Sequence, residues 1–258
     1  MQRFLIAMAA LAVVAGPAAA ATSPFAGTWK LNVAKSKFTG ETVTVTKTAD
    51  GFHFSNGATI AFDFKIDGKD YPIVPGRTVA WTAAPDGGYD AVTKGEGKVL
   101  SKAHRTFSAD GRVMTAAYTE YRPDGSVVHE SDTFKRLSGV DGLAGRWENV
   151  KTQSVSDTVI IDTPSAGLYQ VAYPSEKELM AGPLDGTPTP IKGPTVPPGA
   201  MVSHKGVSGG AWTYEITLQG KVYTKGVMTV SDGAKTLTDK SWTPGKETEA
   251  AVAVYDRL

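Results

Sequence analysis

The pentapeptide FAGTW at residues 25–29 recurs as LAGRW at residues 143–147, about 120 positions further along the chain. Other matched features follow both copies in the same order and at nearly the same offset. The matched pairs are Asp67-Gly68 with Asp185-Gly186, Tyr121-x-Pro123 with Trp242-x-Pro244, and the closing segments FKRL at 134–137 with YDRL at 255–258. Self-similarity over such a long period predicts one structural unit that occurs twice.

The repeat predicts two domains, at residues 22–138 and 143–258. Each has about 115 residues, a common size for a domain with its own hydrophobic core. The segment that joins them is short and rich in glycine. We therefore expect the two units to touch each other rather than to move freely.

Strand-like alternation and turn signals fill the first repeat. The stretch ETVTVT at 41–46 places Val43 and Val45 on one face and threonines on the other, as in a half-buried strand. Asp-Gly or Asn-Gly pairs, which suit two-residue hairpin turns, interrupt the pattern at positions 50–51, 56–57, 67–68, 86–87, 110–111 and 124–125. These signals predict about eight to ten short strands per repeat.

A meander of so many strands leaves two long unpaired edges if the sheet stays open, and closure removes them. The predicted fold class is therefore all-β, with two tandem antiparallel up-and-down β-barrel domains. A β-sandwich is the alternative. Because proline cannot donate to a strand ladder, the proline-rich residues 183–198 are expected to form a long loop over one end of the second unit.

Residues 1–21 have the pattern of a secretory signal peptide, with a positive charge at Arg3, an apolar run over residues 4–15, a Gly-Pro break and small residues before the cleavage site. The run is too short to span a bilayer, although an uncleaved anchor is the alternative. The chain has no cysteine, so it can carry neither a lipidated cysteine nor a disulfide. These features predict a periplasmic or secreted protein without a transmembrane segment after signal removal.

The charge balance limits the partners of the protein. The chain has 27 lysines and arginines against 26 acidic residues, and its formal net charge is +1. Binding to nucleic acid or to an anionic membrane requires a concentrated basic field, which this sequence does not supply. We therefore expect no nucleic-acid partner.

The start of each repeat resembles the calycin superfamily, which comprises the lipocalins and the fatty-acid-binding proteins. The resemblance rests on Gly-x-Trp at Gly27 and Trp29, after Phe25, and on an arginine close to the end of each repeat. It implies a lipocalin-like barrel in which the last-strand arginine packs over the first-strand tryptophan and closes one end. It pairs Trp29 with Arg136, and Trp147 with Arg257, and the chain as a whole resembles a tandem exported bacterial lipocalin-like protein.

Arg105 is the most informative candidate for ligand binding. On the strand AHRTF at 103–107 it shares a face with Phe107, and an inward orientation would place a cation inside the barrel. A buried charge is costly unless it is paired, so it would need an internal acid or a ligand carboxylate. Met228 is near the matching position of the second repeat, so only the first unit would hold an acidic ligand this way. In the opposite register Arg105 points to solvent.

The next strand, at residues 113–121, has apolar residues at alternate positions, and this alternation predicts which of its faces points inward. The residues predicted to point inward are Val113, Ala117 and Tyr121. The candidate ligand-binding residues are therefore Arg105, Phe107 and Tyr121.

Motifs of catalysis and metal binding are missing from the sequence. There is no cysteine nucleophile, no Gly-x-Ser-x-Gly, no P-loop and no dinucleotide-binding fingerprint. The four histidines stand singly, without the spacing of a metal site. We expect no enzymatic activity, no cofactor and no metal.

The sequence leaves two functions open. In the first, an exported envelope protein binds a small apolar or amphipathic, lipid-like ligand inside a barrel, because ligand pockets are mostly apolar with a few convergent polar groups. In the second, the barrels are filled and the protein is a non-enzymatic structural or interaction module that binds another envelope protein. Two linked modules would suit a bivalent partner.

Overall fold

The computed structural model of the chain describes residues 23–139 and 142–258. The signal peptide predicted at residues 1–21 lies outside the described residues. The described part contains twenty β-strands, numbered β1–β20 in chain order, so the all-β prediction is confirmed. Its only helical segments are single 3₁₀ turns at Val33–Lys35, Asp232–Ala234 and Glu247–Glu249. None of the helices found there has the length and apolar character needed to cross a membrane.

Ten antiparallel strands form the first barrel. They are β2 (Thr42–Lys47), β3 (Phe52–Ser55), β4 (Ala61–Phe64), β5 (Asp70–Val74), β6 (Arg77–Ala83), β7 (Tyr89–Gly95), β8 (Lys98–Phe107), β9 (Val113–Tyr121), β10 (Val127–Ser138) and β11 (Gly145–Gln153). Their spatial order is β4-β3-β2-β11-β10-β9-β8-β7-β6-β5. The two end strands β4 and β5 follow each other directly in the chain, so the sheet is nearly closed.

The second barrel also has ten antiparallel strands. They are β1 (Gly27–Leu31), β12 (Thr158–Asp162), β13 (Leu168–Tyr173), β14 (Glu178–Pro183), β15 (Thr189–Pro190), β16 (Ala200–Gly206), β17 (Trp212–Leu218), β18 (Lys221–Val230), β19 (Thr236–Trp242) and β20 (Ala251–Arg257). Their spatial order is β14-β13-β12-β1-β20-β19-β18-β17-β16-β15. Leu179 and Lys192 exchange two backbone hydrogen bonds of 2.8 and 2.9 Å across the remaining gap. The prediction of two barrels is therefore confirmed.

The sequence repeats do not coincide with the barrels. Strand β1 belongs to the first repeat but pairs with β12 and β20 of the second barrel. Strand β11 belongs to the second repeat but completes the first barrel between β10 and β2. The first barrel is thus continuous over residues 42–153 and is inserted between β1 and the other strands of the second barrel. The predicted boundaries, 22–138 and 143–258, mark the duplication and not the barrels.

A short connection explains why β11 stays with the first barrel. Ser138 at the end of β10 pairs directly with Arg146 of β11. Consecutive strands joined by so few residues form an antiparallel pair more readily than they separate. The longer segment at residues 32–41, in contrast, allows β1 and β2 to enter different barrels.

A tryptophan covered by an arginine closes one end of each barrel. The guanidinium carbon of Arg136 lies 4.0 Å from the ring centroid of Trp147, and that of Arg257 lies 4.2 Å from Trp29. Both tryptophans are completely buried. The predicted pairing of Trp29 with Arg136 and of Trp147 with Arg257 is therefore wrong, because the first strand of each repeat has changed barrels. The arginine-over-tryptophan arrangement itself is present twice.

The two barrels meet through the ends opposite these tryptophans. The amide of Asp124 in the β9–β10 turn donates to the Ser175 carbonyl at 3.2 Å, and Arg122 pairs with Asp157 at 2.8 Å. At another point of the rim, the Arg77 guanidinium donates to the Thr195 carbonyl at 2.6 Å. The expected contact between the units is thus present, and it joins the rims of the two barrels. The proline-rich segment contributes to this contact and also contains strand β15.

Candidate functional site

The first barrel surrounds a cavity of about 330 Å³. Strands β3–β6 line it with aromatic and aliphatic side chains, which we call the apolar wall: Phe54, Phe62, Ile73, Val79 and Trp81. Strands β7–β10 bring polar side chains to the opposite side, which we call the polar wall: Thr93, Ser101, Arg105, Tyr118 and Asp132. Glu41, just before β2, lies at the rim. The cavity is therefore amphipathic from side to side.

Arg105 points into this cavity. Its guanidinium carbon lies 4.5 Å from the ring centroid of Trp81 and 5.9 Å from that of Tyr118. Its Nη1 atom is buried without a hydrogen-bond partner, and no carboxylate in the described ranges lies within ion-pairing distance. Burial lowers the pKa of Arg105, whereas Tyr118 and Asp132 oppose that shift. Tyr118 is therefore a neutral hydrogen-bond partner of the guanidinium, which has no ion-pair partner and keeps one donor unsatisfied. Such a buried cation is unfavourable, and a complementary anionic group in the cavity would stabilise it.

Small side chains make room for the cavity. Ala91 and Ala103 face each other on β7 and β8, and Ala116 stands beside Arg105 on β9. All three are buried. Because their methyl groups reach only a short way toward the barrel axis, the space above them stays open. The guanidinium of Arg105 enters that space.

The second barrel carries large side chains where the first has alanines. Residues that oppose each other directly on successive strands form a transverse row across the sheet. In the row that matches Ala91 and Ala103, the second barrel has Tyr214 in place of Ala91 and Gly226 in place of Ala103. The ring of Tyr214 lies directly over Gly226, so that a Cβ atom there would overlap the ring. Met228 holds the position of Arg105, since it pairs with Trp212 as Arg105 pairs with Tyr89. These residues fill the axis of the second barrel.

Several polar groups are buried inside the second barrel. The Tyr214 hydroxyl donates to Asp239 at 3.0 Å, and burial raises the pKa of Asp239 to about 6. His204 packs 4.2 Å from Tyr169 between ring centroids, and burial lowers the pKa of His204 to about 4. Neither His204 Nδ1 nor the Tyr169 hydroxyl has a hydrogen-bond partner among the residues at 23–139 and 142–258. The ring of His204 also lies 5.4 Å from that of Tyr214 between centroids, so the cluster is closely packed.

The structure separates the three predicted ligand-binding residues. Arg105 lines the cavity. Phe107 instead packs at the closed end, where its ring centroid lies 5.9 Å from that of Trp147. Tyr121 points outward, is 37% exposed and lies in a groove between the barrels. The cavity and its closed end thus hold two of the three residues, and the inward orientation predicted for Tyr121 is wrong.

The inner face of β9 is offset by one residue from the prediction. Met114 and Ala116 are buried, whereas Val113 is 37% exposed and Ala117 is also exposed. The reason is the β8–β9 register, in which Phe107 pairs with Met114. Because directly opposed residues point to the same face, the inward Arg105 requires an inward Ala116. The prediction for Val113 and Ala117 is therefore wrong.

Sequence reasoning missed Tyr118, Asp132, Trp81 and Glu41. Residues directly opposite Arg105 on successive strands share its face, and this relation leads from Arg105 through Ala116 to Asp132. Asp132 could therefore have been found from the register of β8 against β9. That register depends on the length of the 108–112 turn. The rim residue Glu41 had no such signal.

Glu41 also borders a cleft of about 200 Å³ between the barrels. Burial is the main cause that raises the pKa of Glu41, and Glu249 and Asp132 add to it while Lys246 opposes it. Lys246 donates to the Thr42 carbonyl at 2.9 Å and pairs with Glu249 at 2.7 Å. The rim of the cavity is thus held by residues of the second barrel.

The barrel shape agrees with the calycin resemblance but does not by itself establish membership of that superfamily, which stays an expectation. Comparisons of the chain with models of known protein families, with curated proteins and with solved structures find no match.

Proposed function

We propose that the first barrel binds a small amphipathic molecule, with its acidic group at Arg105 and its apolar part against the apolar wall. The observation that carries this proposal is the buried Nη1 atom of Arg105, which faces a cavity without a partner. A carboxylate there would form charge-assisted hydrogen bonds and neutralise the cation. The protein thereby acts as a ligand carrier outside the cytoplasm, in line with the signal sequence, and has no catalytic role.

The size and lining of the cavity support this proposal. A volume of about 330 Å³ falls within the range of small-molecule sites, ~300–1,000 Å³. Apolar atoms that leave water contribute about 25 cal/mol per Å² of buried area. The aromatic rings of Phe54, Phe62 and Trp81 offer such area beside a single fixed cation. An aliphatic chain with one acidic end satisfies both requirements.

Substitution of Arg105 tests the proposal. In Arg105→Met the cation is replaced by the residue that the second barrel has at this position, so the fold should tolerate the change. We expect the variant to bind dodecanoate at least tenfold more weakly than the wild type, because it loses a charged partner worth about 1.4 kcal/mol or more. Titration calorimetry, or the fluorescence of Trp81 in the cavity, gives the dissociation constants.

Lys102→Met is the matched control for this experiment. Lys102 stands on the same strand but is exposed on the outer face. Its loss should leave dodecanoate binding unchanged. Equal affinity of Arg105→Met and the wild type would contradict the proposal.

The second function suggested by the sequence applies to the second barrel alone. Its axis is filled by Tyr214 and the side chains around it, and its Lys246 donates a hydrogen bond to the Thr42 carbonyl at the rim of the first barrel. We propose that it has a structural role and forms the cover of the binding barrel. A protein partner for its outer face stays a prediction, to be tested by co-purification from the envelope.

A further inference from the structure

The cavity contains opposite charges that are not paired with each other. Arg105 pairs in register with Ala116, which pairs in turn with Asp132, so all three side chains share the inner face. The Cα atoms of Arg105 and Asp132 are separated by two strand spacings, or roughly 10 Å. Tyr118 stands between them and hydrogen-bonds to both, but its neutral hydroxyl does not cancel either charge. A cation on β8 and an anion on β10 therefore face one low-dielectric space from the two sides of β9.

Neutral donors hold Asp132 in place. Its Oδ1 atom accepts hydrogen bonds from Asn149 at 3.1 Å and from the Thr152 hydroxyl at 2.7 Å. These donors orient the carboxylate but leave its charge in place. Glu41 adds a second acid at the rim and interacts electrostatically with Asp132. The charged groups that line the cavity are thus one guanidinium and two carboxyl groups.

This charge pattern discriminates between ligands. A simple fatty-acid anion is attracted by Arg105 but repelled by Asp132 and Glu41. A molecule with an ammonium group next to its carboxylate is attracted by both sides of the polar wall. An amine without an acid leaves Arg105 unpaired, which is costly.

We infer that the ligand of the first barrel is zwitterionic, with the carboxylate at Arg105, an ammonium group toward Asp132 and an apolar tail on the apolar wall. A 2-amino acid with a long aliphatic or aromatic side chain has this chemistry. The inference rests on the proposed function and specifies the class of ligand. Met228 and Ala253 stand at the matching positions of the second barrel, so this pair of charges belongs to the first barrel.

Three probes with the same tail test the inference at pH 7: dodecanoate, 2-aminododecanoate and dodecylamine. We expect wild-type protein to bind 2-aminododecanoate at least tenfold more tightly than dodecanoate, and dodecylamine most weakly. Asp132→Asn keeps an acceptor for Asn149 and Thr152 but removes the charge. It should bring the ratio of the first two affinities close to one without weakening dodecanoate binding.

A matched control is Asp63→Asn, which removes an acid whose side chain is 82% exposed on β4. It should leave the ratio unchanged. If dodecanoate binds as tightly as 2-aminododecanoate and depends on Arg105, the inference is wrong while the proposed function stands. If no probe binds, or if binding is independent of Arg105, both are wrong. The ratio of the wild-type affinities for 2-aminododecanoate and dodecanoate tests the inference even if Asp132→Asn does not fold.

Discussion

Two buried side chains of the second barrel respond to acid in opposite directions. The pKa of His204 is lowered to about 4, from an ordinary value of 6.5, because burial disfavours the charged imidazolium. As the pH falls from 6.5 to 4, the unfolded chain therefore binds a proton that the folded chain does not, and stability is lost. The pKa of Asp239 is raised to about 6 from 3.8, so its folded form takes up a proton first, and stability is gained as the pH falls through 6.

The two effects nearly cancel in the wild type, and substitution separates them. Each amounts to roughly 2–3 kcal/mol between neutral pH and pH 4.5, at about 1.4 kcal/mol per pKa unit. We compare the free energy of unfolding of each variant with that of the wild type at pH 7 and at pH 4.5. For His204→Phe this difference should favour the variant more at pH 4.5, because the variant has no imidazole whose protonation stabilises the unfolded chain. Asp239→Asn should become relatively less stable in acid. Urea unfolding at the two pH values measures both differences.

A parallel pH response of the two variants would contradict this assignment.

Transverse rows of side chains, and not single strands, decide whether a barrel is hollow or filled. The row that contains Trp81, Ala91 and Ala103 in the first barrel contains His204, Tyr214 and Gly226 in the second. The large ring on β17 requires the glycine beneath it on β18. In the first barrel, the corresponding residues on β7 and β8 are both alanines, Ala91 and Ala103. Hollow and filled interiors therefore differ by a few coordinated substitutions on neighbouring strands.

Introduction of the tyrosine–glycine pair of the second barrel into the first should fill the cavity. In the double variant Ala91→Tyr with Ala103→Gly, the new ring has the same room that Tyr214 has over Gly226. We expect a loss of dodecanoate binding of more than tenfold and a melting temperature within a few degrees of the wild type. Calorimetric titration and thermal unfolding check the two outcomes.

The single variant Ala91→Tyr is the comparison, since the ring then meets the Ala103 methyl group. Overpacking of this kind typically costs about 1–3 kcal/mol, so its melting temperature should fall. Unchanged ligand affinity in the double variant would show that the ligand does not enter the space above Ala91 and Ala103.

Local signals predicted the strands and their turns, whereas non-local contacts decided the rest. Alternation around Val43 and Val45 and the Asp-Gly turns sufficed for an all-β barrel, because they depend on neighbouring residues. The predicted inner face of β9 was wrong because the 108–112 turn shifts the register by one residue, and such a shift moves every side chain to the other face. The predicted barrel of Trp29 was wrong because β1 and β11 have the same motif, and only the lengths of the connections that follow or precede these strands distinguish them.

At the scale of the whole molecule, the insertion of the first barrel links the two barrels by two chain crossings and leads us to expect that they unfold together. The chain passes between them at residues 32–41 and again at 154–157, and the rims are joined by Lys246, Arg122 and Arg77. Unfolding of either barrel thus removes contacts of the other.

We therefore expect one shared thermal transition, although the ligand contacts only the first barrel. Binding stabilises the folded state by mass action, and 100-fold excess over the dissociation constant contributes about 2.7 kcal/mol. Scanning calorimetry with and without 2-aminododecanoate should show a single peak that moves to higher temperature. Two peaks, of which only one moves, would contradict cooperative unfolding.

The exchange of β1 and β11 also constrains how such a chain can change in evolution. If either copy were deleted, the remaining barrel would lose the strand beside its closing arginine, and the survivor's own first strand, which has the same motif, would have to take that place to avoid unpaired backbone groups. Reversal of the duplication therefore requires a strand to change its pairing partners. Each barrel can change its interior separately, and in this molecule one interior is filled while the other contains a cavity.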